Sequence, residues 1–259
     1  PSPLPPPAPP PMTVTERLNW RWHSGKPSQS LEDSGILIHQ FDSLDDPNPD
    51  GEPWRPRRPT ISAALVNDKL QPEPDRKTIP LYSYSLSGIV LANEYNRVRC
   101  AYSFDVGSLQ FPDACNPYRC ADWEDTDGHG GTGCAFNPTG LQRMMEVQQE
   151  LRRRNVKPVY KVWDDHKFYN EVILDDKTFV SNLPHSIAAV FYLPANCDDI
   201  YDGPKCEAYA RGAHRNLLRH FHLTEEQLPL VKFNYNDFDT PFEAMPNCDP
   251  NAKGIFSCV

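Results

Sequence analysis

The stretch YNEVILDDKTFVSNLPHSIAAVFYL, residues 169–193, sets the class of fold. Two runs in it, YNEVILD and SIAAVFYL, are rich in β-branched and aromatic residues, and a polar, proline-bearing segment separates them. Such runs predict two strands. Working outward, SGIVLANE and RVRCAYSF predict two more strands, joined through EYN as a hairpin, and LVKFNYN predicts a last strand. In GLQRMMEVQQELRRRN, Leu141, Met144, Met145, Val147 and Leu151 fall close to one helical face, and Asn155 with Pro158 ends the run. A second helix is expected over CEAYARGAHRNLLRHF and a short helical turn at TEEQLP. These elements follow one another without a βαβ rhythm. The expectation is therefore an α+β fold: a mixed or antiparallel sheet with two main helices.

Upstream of residue 81 the character changes. Residues 12–80 set two short apolar runs, GILIHQF and ISAALV, among charged and proline-rich stretches. Trp20 and Trp22 alternate in LNWRWHS, which reads as a strand or an extended arm. Residues 1–11, PSPLPPPAPPP, contain eight prolines and predict a polyproline II rod. Three parts result: a tail at 1–11, an extended arm with short strands at 12–80, and a disulfide-braced domain at 81–259.

All eight cysteines, Cys100, Cys115, Cys120, Cys134, Cys197, Cys206, Cys248 and Cys258, fall in that last part. Their even number, and the lack of any CxxC zinc spacing, favour a disulfide framework in an oxidising compartment. Cys197 with Cys206 and Cys248 with Cys258 look like local loops, leaving the other four to pair among themselves. A net charge of −9 argues against a nucleic-acid partner, and no apolar run is long enough for a membrane span. There is no N-x-S/T sequon, so covalent glycans would be O-linked.

Catalytic and metal signatures are few. DGHGGTG is not framed by strand and helix as a dinucleotide fingerprint requires. Asp122, Glu124, Asp125 and Asp127 miss the calcium-loop spacing, leaving Asp125 and Asp127 as weak metal candidates. His214, His220 and His222 form no HExxH and no i,i+4 pair. No cofactor is expected. Glu171 opens the first strand of the quoted stretch, and that stretch resembles the closing segment of ADP-ribosyltransferase-like folds. The resemblance implies a glutamate that binds the nicotinamide ribose and supports an oxocarbenium-like transition state; Arg97, Arg99 and Ser83 to Ser87 are the nearest candidates for the family's other parts.

The proline run SPLPPPAPPP is similar to spacers of hydroxyproline-rich glycoproteins from green algal and plant walls and flagellar surfaces. Through SGIVL, NRVRCAYSFDVGS and YNEVILD, the cysteine-bearing part resembles uncharacterised secreted microalgal proteins. The first likeness implies hydroxylated, O-glycosylated prolines at Pro3, Pro5, Pro6, Pro7, Pro9, Pro10 and Pro11; a bare linker and a PxxP ligand are the other uses of such a run. Together these readings point to a secreted structural glycoprotein of the matrix, cell wall or cell surface. It would assemble with itself as a fibre or polymer, the arm docking Trp20, Trp22, Ile36, Ile38 and Trp54 on a neighbour. The alternatives are an ADP-ribosyltransferase-like enzyme using Glu171 and a carbohydrate-binding matrix module that stacks Trp123 and Trp163 on sugars.

Overall fold

A computed structural model describes residues 12–24, 35–41, 60–68, 87–102, 135–136, 144–146, 170–194, 203–235, 237 and 239–245. In chain order the elements are helix α1 (Val14–Ser24), strands β1 (Ile36–Gln40), β2 (Thr60–Val66) and β3 (Ser87–Leu91), a 3-10 turn (Asn93–Tyr95), β4 (Val98–Tyr102), β5 (Ala135–Phe136) and β6 (Glu171–Asp175), helix α2 (Asp176–Ser181), β7 (Ile187–Tyr192), helix α3 (Gly203–Phe221), β8 (Leu230–Phe233) and β9 (Phe242–Ala244). The strands form one sheet in the order β5-β4-β6-β2-β1-β3-β7-β8-β9. Every neighbouring pair is antiparallel except β7 with β8. A mixed α and β architecture with a mostly antiparallel sheet agrees with the sequence reading. The tail and residues 25–34, 42–59 and 69–80 of the expected arm lie outside the described residues.

The sheet carries apolar side chains on both faces. On one, Leu37, Leu65, Ile89, Leu174 and Val190 meet Ala210, Ala213 and Leu217 of α3, Phe179 of α2, and Met144 and Met145. On the other, Ile36, Ile38, Val66, Val90, Phe191 and Phe233 meet Leu18 and Trp22 of α1. Strands buried on both sides read as continuous apolar runs, which is why GILIHQF and ISAALV belong at the sheet's centre. This corrects the arm: β1 and β2 pair with β3 and β6 from the C-terminal part, so these segments complete the core instead of extending from it.

Two further expectations change. LNWRWHS is helical, not a strand. Thr13 and Glu16 form a reciprocal cap, the Glu16 carboxylate accepting from the Thr13 N–H at 2.7 Å while the Thr13 hydroxyl accepts from the Glu16 N–H at 3.3 Å. Two residues apart on a helix are about 200° apart, since each residue turns about 100°; hence Trp22 is fully buried and Trp20 is 53% exposed. The expected β3–β4 hairpin is also absent, because β1, β2 and β6 stand between those strands. The connection at 92–97 is held by buried asparagines instead: Asn93 donates to the Gly35 carbonyl at 3.1 Å, and Asn96 to those of Ala92 at 2.7 Å and Ser186 at 3.1 Å. Across β3 and β7 the register slips, Val90 facing Ala189 and Leu91 facing Ile187, so that Ala188 is the extra residue of a bulge.

Candidate functional site

Among the described residues, two places gather polar side chains. The first surrounds Glu171, at the start of β6. Because Val172 and Leu174 point to the α3 face, Glu171 and Ile173 point to the other. Glu171 pairs across the ladder with Tyr102 of β4 and is 8% exposed. The Ser62 hydroxyl of β2 donates to its carboxylate at 2.7 Å. Burial, with the Glu171 charge adding to it, pushes the Tyr102 phenol up to about 12. His39 donates from Nδ1 to the Ser62 carbonyl at 2.6 Å, which fixes its tautomer and ties β1 to this corner. Just before the start of β6, the Asn170 side chain both accepts from the Leu65 N–H at 2.7 Å and donates to the Leu65 carbonyl at 2.9 Å, continuing the contact with β2 ahead of the strand. The result is a carboxylate held by a hydroxyl and flanked by a neutral phenol, inside a rigid sheet.

Among the described residues, neither Ser87 nor Arg97 is brought to Glu171, and residues 83–86 of the expected serine stretch lie outside the described residues. Ser87 sits on β3, with β1 and β2 between it and β6, a separation of about 14 Å at sheet spacing. Arg97 lies at the opposite end of β6, its carbonyl accepting from the Asp175 N–H. The segment after Glu171 continues into α2, and β7 lies four places away across the sheet. What sequence reasoning missed are Ser62 and Tyr102. Each lies one residue from a core-facing alanine on its strand, but nothing local says that β2 and β4 flank β6.

The second place is a cavity of about 320 Å³ between α1, the 92–95 turn, the 184–188 segment and the 223–227 turn. Its polar lining is Arg17, Arg21, Glu94, Tyr95, His185 and Gln227. Arg17 and Arg21 stand one turn apart on α1, beside the buried pair Leu18 and Trp22. Arg21, its side chain 13% exposed, reaches Glu94 at 3.5 Å. The Tyr95 and His185 rings lie 5.8 Å apart, tilted by 34°. Asn182 donates to the Tyr95 carbonyl at 3.2 Å and Asn96 to that of Ser186, so this wall is braced from behind. The bulge at Ala188 lets both Ile187 and Ala188 line the cavity. The signal available in the sequence was the TVTE capping box, which begins the helix that aligns the two arginines.

The other predicted residues divide as follows. Cys100 is buried on β4, and Cys206 falls in α3. Cys115, Cys120, Cys134, Cys197, Cys248 and Cys258, the tail prolines, Trp54, Trp123, Trp163, Asp125 and Asp127 lie outside the described residues. Trp22, Ile36 and Ile38, expected to dock on a neighbour, are in this chain's own core, because helix and strand periodicity turn them inward. His214 is a core residue: its Nε2–H donates to the Leu228 carbonyl at 2.6 Å, and burial holds its pKa below the ordinary imidazole value. Among the described residues no group of three His, Cys, Asp or Glu side chains is placed to hold a metal, and no helix is long and apolar enough to cross a membrane. No protein family, curated protein or solved structure matches this chain.

Proposed function

We propose that this chain is a secreted structural glycoprotein of a matrix, cell wall or cell surface, with O-linked sugars on hydroxylated prolines of its tail. What supports the reading is the even set of eight cysteines without zinc spacing, one of which, Cys100, is buried on β4. The disulfide framework expected from these cysteines fits an oxidising compartment and would resist unfolding there. Self-association uses surface that the fold leaves exposed. Of the tryptophan and isoleucine set expected to dock, Trp20 on α1 is exposed and keeps that role. The test is electron microscopy of the native secreted protein, compared with a Trp20→Ala variant and a chain lacking residues 1–11. Filaments that shorten or vanish in Trp20→Ala support assembly; dispersed particles in the native sample refute it. Deletion to residue 80 is not a usable comparison, since it removes β1 and β2 from the sheet.

A second reading, a glycosyl-transferring enzyme using Glu171, is favoured by the 2.7 Å hydrogen bond from Ser62, which would orient the carboxylate. NAD turnover that survives Glu171→Gln unchanged removes it.

A further inference from the structure

We infer that the cavity beside α1 binds one residue of an acidic sugar, a hexuronate, a site that goes beyond the polymer reading and does not depend on it. The first argument is charge. The chain as a whole is −9, yet this cavity sets two guanidiniums against one carboxylate. Glu94 engages Arg21 at 3.5 Å, while Arg17 has no acidic partner among the described residues. An exposed arginine one turn from a largely buried one, both lining a single hollow, favours an anionic ligand.

The second argument is shape. The cations are side-chain forks, whose planar donors match a carboxylate; α1 presents its flank and not its N-terminal N–H groups, which form the usual phosphate cradle. Opposite the arginines, Tyr95 is 42% exposed and leans on His185, giving an aromatic surface for the apolar face of a pyranose ring. Gln227 accepts from the Thr224 N–H through Oε1 at 2.9 Å, which orients its amide so that the NH₂ is a donor for a ring hydroxyl. A volume of about 320 Å³ is at the small end of ligand pockets and suits one or two sugar rings. The asparagine bracing behind Tyr95 and His185 means that the wall is formed before a ligand arrives.

The test uses the intact, disulfide-bonded protein with D-galacturonate as probe and D-galactose as its neutral counterpart, by calorimetry and saturation-transfer NMR at ligand concentrations up to about 10 mM. Galacturonate should bind at least about tenfold more tightly than galactose, the usual difference for one charge-assisted contact. Arg17→Gln should abolish most of that preference with an unchanged melting temperature, because Arg17 is exposed and its loss leaves no buried partner. Tyr95→Ala should weaken both sugars. Raising the salt from about 0.01 M to about 0.1 M shortens the screening length about threefold and should weaken galacturonate alone. Equal affinity for the two sugars, wild-type preference in Arg17→Gln, no signal from either sugar, or tighter binding of phenyl phosphate than of galacturonate would each overturn the assignment.

Discussion

Replacing Trp22 by alanine separates two roles for α1, a core helix or a docking arm. In the structure Trp22 is fully buried, its ring edge-on to Phe233 at 5.9 Å. Phe233 in turn stacks on Phe242 at 4.4 Å and meets Phe191 at 6.2 Å. The helix is held over this aromatic group by Asn19, whose side chain donates to the Phe242 carbonyl and accepts from its N–H, both at 2.9 Å. A backbone tied down on both sides cannot collapse into the space of an indole. Trp22→Ala should therefore cost about 3–5 kcal/mol, against about 0.5 kcal/mol or less for Trp20→Ala on the exposed face. With a urea slope of roughly 1–3 kcal/mol per molar, the midpoint for Trp22→Ala falls by about 1 M or more. Urea unfolding followed by far-UV circular dichroism, at a concentration where the protein is monomeric, measures both variants. If Trp22→Ala unfolds within about 1 kcal/mol of Trp20→Ala, the burial argument fails and Trp22 is a contact to a neighbour.

Three other outcomes follow from single residues. Gly88→Ala would bring a methyl group to 2.2 Å from the His39 carbonyl and 2.6 Å from the Phe191 ring; β1 and β7 would have to part, at about 3 kcal/mol or more, and the lowered melting temperature is the readout. For His214, the folded pKa lies below the unfolded value near 6.5 because burial disfavours the cation, so the unfolded chain binds the proton first. Its contribution is complete above about pH 6.5 and falls as the pH drops toward the lowered value, and His214→Gln should flatten that part of a melting-temperature profile. Tyr102 behaves in the opposite sense: its folded pKa of about 12 exceeds the unfolded value near 10, so stability decreases as the pH rises from about 10 toward 12. In a tyrosinate absorbance titration, Glu171→Gln should bring the Tyr102 transition down, since it removes the carboxylate charge while leaving the burial; an unmoved transition would break the link between the two residues.

Local sequence determined most of the elements, because a strand or helix is recognised from the spacing of its own apolar residues. SGIVL, VRCAY, EVILD, IAAVFY and LVKF are strands, and the run from Gly203 to Phe221 is a helix whose Ala210, Ala213 and Leu217 face the core. At 18–22 the local signals conflict. The alternation of Trp20 and Trp22 suggests a strand, while the Thr13–Glu16 cap and the i,i+4 pair of Leu18 and Trp22 suggest a helix. Packing on Phe233 and Phe242 decides for the helix. Strand order was a tertiary decision: two apolar runs from the N-terminal part enter the middle of the sheet, where both of their faces are buried, and so displace the local hairpin. Glu171 stood out in the sequence as the start of a strand, but Ser62 is 109 residues away from it, and only the β2–β6 ladder joins them. The arginine-lined cavity has the same origin. Its walls come from four separated segments, each ordinary alone, and their joint chemistry exists only once the sheet has set the distances between them.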